Sequence, residues 1–364
     1  MAHTSPSLAE LAWNEAWEAA FAPHRTAGLE PARVAIQDKH HYVVLHAEGG
    51  CVARASGKLL HASRSHGETP RVGDWVAISR RGDKDRAVIQ AILPRRTKLS
   101  RKLPGRTTTE QVLVTNVDVA FVVQALDKTF NPRLLERFLL MVHEGGIQPA
   151  IVLNKIDLCE DPDAAVTAAQ QCAIQAPIFP VCAISGKGTR ALRKWIRPGT
   201  TAVFMGRSGV GKSSLINALY GEDVQATTEV REQDHKGRHT TTWREMIALP
   251  AGGLVIDTPG MREFHLWMAG DGIHEAFPYI EQLGWQCRFR NCTHSTEKFC
   301  AVLTALTDGR ITRERYNAFV KLRRELDFLA EAHQRQEAIS RRTDRRRQRS
   351  DSDSRWRLED EDGV

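Results

Sequence analysis

The sequence predicts a multidomain chain: an N-terminal β-barrel, a central α/β domain on a parallel sheet, and a helical C-terminal module organised by a metal. Three observations predict it. Short β-like runs broken by turn residues fill 31–94, and apolar strands alternate with helix-like stretches from about 112 to 260. Beyond these, three cysteines and a histidine crowd into the fourteen residues 287–300. A chain of 364 residues is long enough for two or three domains.

In chain order, residues 1–30 read as an amphipathic helical extension with Leu8, Leu11, Trp13, Trp17 and Phe21 as its apolar positions. Its start has no basic stretch leading into an apolar core, so no secretory signal is expected. Residues 31–95 carry "ARVAI", "YVVLHA", "CVARASGKLL", "DWVAI" and "AVIQAIL", which suit a five-stranded OB-fold barrel. "PRRTKLSRKLPGR", from Pro94, opens a basic segment (96–111) that is either a solvated linker or a phosphate-contacting strip. From 112 to 265, "VDVAFVVQAL", "QPAIVLN", "PIFPVCA", "TAVFMG", "TWREMIAL" and "GGLVIDT" are the strands of a doubly wound sheet. Helices are expected at 132–144, 162–173, 189–196 and 212–220. Residues 266–332 form the metal-binding helical module, and 333–364 is a densely charged tail expected to be disordered.

Bulk properties narrow the function classes. No apolar run approaches the roughly 18 residues that span a bilayer, so a cytoplasmic protein without a membrane partner is expected. Net charge is +7, with a pI near 9.1, which favours polyanionic partners. Seven cysteines, an odd number in a reducing compartment, speak against a disulfide framework.

The chemistry is concentrated in four motifs. Gly206-Arg207-Ser208-Gly209-Val210-Gly211-Lys212-Ser213, followed by Ser214, fits the phosphate loop G-x-x-x-x-G-K-[ST] between a strand and a helix. Its backbone N–H groups would cradle phosphates, Lys212 would reach the β- and γ-phosphates, and the Ser213 hydroxyl would ligate Mg²⁺. "LVIDTPG" puts Asp257 at a strand end near Mg²⁺, with Gly260 as the γ-phosphate sensor. Asn154-Lys155-Ile156-Asp157 reads the base: Asp157 can accept from guanine N1–H and the 2-amino group, donors adenine lacks there. Asn154 would brace the loops and the Lys155 stem would lie along the base. "VCAISGKG" offers Cys182 and Ala183, whose backbone could meet the guanine oxygen. Together the motifs specify GTP rather than ATP.

Two roles remain open by sequence. Thr240, Thr241 and Thr242 can each cap Mg²⁺, with Thr241 favoured. Met261 follows the sensor glycine and cannot orient a water as glutamine does in Ras-like enzymes, so another group must. His239 is the nearest candidate, against a surface histidine without a role.

The motif order is unusual: the base-reading motif precedes the phosphate loop. The cyclic order is nevertheless that of a conventional GTPase domain, so this is a circularly permuted P-loop GTPase domain. Downstream, Cys287-x4-Cys292-x-His294-x5-Cys300 supplies three thiolates and an imidazole, the donor set of a closed structural zinc site.

Over roughly 30–330 the chain resembles the ribosome small-subunit-dependent GTPase A (RsgA) family. The resemblance rests on "NKID", "GRSGVGKSSLIN", "GRHTTT", "DTPG" with an apolar follower, and the cysteine–histidine cluster, in that order. It implies an OB-fold, a permuted GTPase domain and a zinc domain, with GTP, Mg²⁺ and one structural Zn²⁺ as cofactors. It also implies binding to the 30S subunit and its 16S rRNA late in maturation, hydrolysis stimulated by the subunit, and a catalytic switch histidine at His239. Cys182 stands where the base loop usually has Ser, and "STEKFC" replaces a more usual Glu-Pro-Gly before the last cysteine. A monomer is expected. Two other classes compete: an RNA-binding module with a slow nucleotide switch, and a metal-delivery GTPase, which the closed donor set disfavours.

Overall fold

The computed structural model describes residues 6–38, 41–62, 69–80, 86–102, 110–127, 130–172, 176–221, 244–258, 277–324, 326–328 and 331, and all structural statements concern these. They fall into two units, one comprising 6–102 with 110–282 and the other beginning at Leu283. Among the described residues no helix is long and apolar enough to cross a membrane.

The first unit starts with α1 (Glu15–Thr26), capped by the Asn14 side chain, which accepts from Trp17 N–H. Five strands follow: β1 (Glu30–Asp38), β2 (His41–His46), β3 (Gly49–Ala55), β4 (Trp75–Ser79) and β5 (Arg86–Ile92). They pair in the order β1-β2-β3-β5-β4 and close through β4 onto β1, so this barrel has no open edge. Alternate residues such as Val34, Val44, Val76 and Ile89 point inward and fill it. The "GKLL" end of the third predicted strand is instead a short helix, α2 (Gly57–Ala62). Ser56 explains the switch, because its hydroxyl accepts from Leu59 N–H and its carbonyl from Leu60 N–H.

The segment expected as a basic linker is partly a strand. β6 (Lys98–Lys102) pairs antiparallel with β7 (Glu110–Thr115). Three of its cations have partners within the chain. Arg95 makes a two-pronged bond to the fully buried Asp74, Arg96 lies 3.8 Å above the Trp17 ring, and Lys98 pairs with Glu110.

The α/β portion contains β8 (Val119–Ala125), α3 (Pro132–Glu144), β9 (Gln148–Asn154), α4 (Pro162–Cys172), β10 (Ile178–Pro180) and α5 (Thr189–Arg193). It continues with β11 (Thr201–Met205), α6 (Lys212–Tyr220), β12 (Glu245–Ala248) and β13 (Leu254–Asp257). Strand order is β10-β9-β8-β11-β13-β12, parallel except for β12. Every residue of β8 and β11 is buried, as strands covered on both faces must be. Val119, Phe121 and Val123 pack with Leu192 and Ile196 around α5 and with Leu215 and Leu219 of α6; α3 lies against β8 and β9. A single pairing, Ile36 with Glu245, joins this sheet to the barrel.

The second unit contains the end of α7 (Pro278–Gly284), the cysteine–histidine loop, α8 (Ala301–Thr307) and a helix over 313–324. Leu283, Val302, Ala305, Ile311, Phe319, Leu322 and Leu326 are among its buried apolar residues.

Candidate nucleotide site and metal centre

The sheet order reverses between β8 and β11, which are neighbours although β9 and β10 separate them in sequence. In open α/β sheets the crevice beyond the strand ends at such a point receives the ligand. The phosphate loop 206–211 leaves β11 there, and α6 begins at Lys212. Gly206 at φ 154° has no room for a side chain, since a Cβ would stand 2.4 Å from the Val123 carbonyl oxygen. Gly211 at φ 92° is equally constrained: a Cβ would fall 2.2 Å from Asn154 Nδ2. Lys212 is buried and its ammonium donates to the carbonyls of Gly206 and Arg207, both at 3.0 Å, so it spans the loop it belongs to. Arg207, Ser208 and Gly209 are exposed, Val210 is buried, and Ser213 and Ser214 are half-buried in the first turn of α6.

Asn154 ends β9 and is buried. Its Nδ2 donates to Val210 O at 2.8 Å, while its Oδ1 accepts from Ala183 N–H at 3.0 Å. One amide thus ties the phosphate loop to the "VCAIS" loop, and Cys182 beside it bridges to Lys187. Lys155 adopts φ 63°, which turns the chain into a single 3-10 turn, Ile156–Leu158, where Asp157 is exposed. Lys155 Nζ pairs with Asp127 Oδ2 at 3.1 Å. Asp127 was missed in the sequence; its signal was its place just after β8, the strand beside the phosphate-loop strand.

Asp257, at the end of β13, is buried next to β11, and the neighbouring Thr258 hydroxyl donates to Phe204 O at 2.7 Å. Opposite Asp257 in register is Glu245, whose carboxyl is pushed upward by burial and by the Asp257 charge. Thr240, Thr241, Thr242, His239, Gly260 and Met261 lie outside the described residues.

In the second unit the donor atoms of Cys287, Cys292, His294 and Cys300 lie within 4.8 Å of one another. Cys287 Sγ is 3.8 Å from Cys300 Sγ and 3.5 Å from His294 Nδ1, which is 3.3 Å from Cys300 Sγ. A tetrahedron with Zn–S bonds of ~2.3 Å has edges of ~3.8 Å, so the spacing fits zinc with Nδ1 as the imidazole ligand. The surroundings orient the donors: Leu303 N–H donates to Cys300 Sγ and the Tyr316 hydroxyl donates to His294 O at 2.6 Å. Burial pushes the Cys300 thiol up to about 12, so a bound cation would supply the charge that stabilises the thiolate.

A phosphate loop at the switch point, laced by one asparagine to the "VCAIS" loop that precedes it in sequence, defines a circularly permuted P-loop GTP hydrolase. Comparison with known proteins narrows this. A family model described as RsgA GTPase matches 92–267, and one described as 50S ribosome-binding GTPase matches 201–336. A small ribosomal subunit biogenesis GTPase RsgA from Opitutus terrae is 42% identical, covering 89% of this chain and 91% of that one. The protein of that name from Syntrophotalea carbinolica is 38% identical over 98% of this chain and 100% of its own. The crystal structure of YjeQ from Thermotoga maritima matches with a TM-score of 0.60 at 26% identity, covering 82% of this chain and 98% of that one. YloQ, described as a circularly permuted GTPase, matches at 0.57 and 26%, covering 82% and 95%. The chain belongs to the RsgA GTPase family and is a ribosome-assembly GTP hydrolase.

Proposed function

We propose that this GTPase binds the small ribosomal subunit through its 16S rRNA, acts as a late maturation checkpoint, and hydrolyses GTP faster when bound. The Opitutus terrae and Syntrophotalea carbinolica relatives, both named for small-subunit biogenesis, align over nine-tenths or more of their own lengths, which supports a shared role for the whole chain.

In this reading Gly206 to Ser214 hold the phosphates, with Lys212 leaving its own loop carbonyls for the β- and γ-phosphates. Asp157 selects guanine, Ala183 N–H and Cys182 flank the base, and Lys155 covers it. Ser213, Asp257 and Thr241 would hold Mg²⁺, which neutralises phosphate charge when bound. Gly260 senses the γ-phosphate and His239 positions water in place of the Met261 thioether. Cys287, Cys292, His294 and Cys300 hold one structural zinc. The observation that carries the guanine assignment is the Asn154 bridge from Val210 O to Ala183 N–H, which sets base reader and phosphate loop in one frame.

Turnover measured with small subunits, large subunits and unrelated RNA tests the partner. Stimulation by small subunits alone is expected; equal stimulation by any RNA would sink the proposal. Lys212→Ala should reduce turnover by at least ~100-fold, as removal of a preorganised charge at the transferring phosphoryl group does. An unchanged rate would refute the site.

A further inference from the structure

The metal module displays a side chain that its backbone does not favour. Phe299 sits at φ 64°, a left-handed conformation that strains a bulky residue and that glycine adopts freely. The strain gains no core contact in return, because Phe299 is 69% exposed. Phe289 is also open, at 49%, and the Arg288 guanidinium lies 5.2 Å from the Phe299 ring centre and 5.9 Å from that of Phe289. One cation is therefore shared by two open rings.

The charge around them is one-sided. Arg290 and Lys298 are exposed, and the one carboxylate of the stretch 283–300, Glu297, is folded back onto the backbone N–H groups of Thr293 and Ser295 at 2.8 and 2.9 Å. Phe289 lies between the donors Cys287 and Cys292, and Phe299 directly precedes Cys300. Metal coordination can thus hold both rings in place without burying them, which lowers the ordering cost of binding. Exposed aromatic faces with a guanidinium among them, rimmed by lysine and arginine, match unpaired nucleobases, whose faces stack and whose phosphates are anionic. A protein partner fits less well at Lys298, since lysine is depleted at protein interfaces.

We propose that Phe289, Phe299 and Arg288 form a stacking platform for unpaired bases of RNA, with Arg290 and Lys298 meeting the flanking phosphates. This rests on the reading that the chain binds ribosomal RNA, and adds that the module takes single-stranded rather than helical RNA. A-form helices keep their base faces stacked inside, out of reach of the rings.

The test uses the full zinc-loaded chain, a labelled unstructured oligoribonucleotide of about twelve nucleotides, a duplex of equal length, and purified small subunits. Phe299→Gly and Phe289→Ala should each weaken single-strand binding about five- to a hundredfold and leave duplex binding unchanged. The slope of affinity against salt should stay that of wild type, because no phosphate contact is removed. Phe299→Gly should melt no lower than wild type, since glycine relieves the left-handed strain. Unchanged single-strand affinity in both variants overturns the platform, as does a lower melting temperature for Phe299→Gly with normal binding by Phe289→Ala. Loss of subunit association with intact RNA affinity also overturns it, assigning the face to a ribosomal protein. Wild type that ignores small subunits but loses single-strand RNA affinity on Phe299→Gly keeps the platform and removes the ribosomal reading instead.

Discussion

At the residue scale, the proposed selectivity for guanine rests on Asp157, placed in solvent by the left-handed turn at Lys155. In that role an aspartate would accept from two guanine donors with full negative charge, each such bond contributing ~1.5–3 kcal/mol. Asp157→Asn replaces one acceptor with a donor, which clashes with the 2-amino group but suits the carbonyl that xanthine carries at that position. GTP affinity should fall about 100-fold or more while xanthosine triphosphate becomes a ligand, read by competition with a fluorescent nucleotide. Unchanged GTP affinity would remove Asp157 from the base site. This candidate was legible because its motif is written in four consecutive letters. Asp127 was not, because it meets Lys155 only after β8 and β9 have come together in the sheet.

Elements are held together here by groups that the sequence pattern does not flag. Arg33, on the apolar strand β1, is fully buried and donates to three backbone carbonyls: Leu11 at 2.6 Å, Asn116 at 3.0 Å and Gly73 at 3.3 Å. It thereby joins the N-terminal segment, the barrel and the strand leading into the α/β portion, beneath Trp75, which Trp13 meets edge-on at 4.6 Å. Burial lowers its pKa to about 10, against the opposing pull of Asp118 and Asp74. The folded value lies below the unfolded one, so the buried charge costs stability at neutral pH and the cost fades only as pH rises past about 10. Removing the donor should nevertheless be worse. Arg33→Met takes the donor from the Leu11 and Asn116 carbonyls, leaving Gly73 O only the Asn116 side-chain amide, and should destabilise the unit by about 3 kcal/mol or more, with faster proteolysis before residue 30. Denaturant unfolding followed by tryptophan fluorescence measures it, and a midpoint within error of wild type would refute the clamp. The strands themselves were readable from period and turn residues. The basic stretch after Pro94 was not, since Arg95 and Lys98 look solvated until Asp74 and Glu110 arrive from elsewhere in the chain.

For the whole molecule, motif order carried more of the fold than any local propensity. With "NKID" upstream of the phosphate loop, the strand order β10-β9-β8-β11-β13-β12 still brings the two segments to the same end of the sheet, where Asn154 reaches Val210 O. The registration of barrel to sheet through Ile36 and Glu245 had no such signature, being a single pairing between distant strands. The two units also divide the chemistry: phosphate loop, Asn154 and Asp257 belong to one, and all four metal donors to the other. The second has a small apolar core, so its folding should depend on zinc, which contributes on the order of 10 kcal/mol in comparable small modules. The first has a complete core of its own. Chelation should therefore remove one calorimetric transition and leave the other, with GDP affinity changed less than about twofold and subunit-stimulated turnover lost. Restored zinc should bring back both the transition and the stimulation. A chelated protein that keeps neither transition, or that loses GDP along with its zinc, would show that the metal supports the nucleotide site as well.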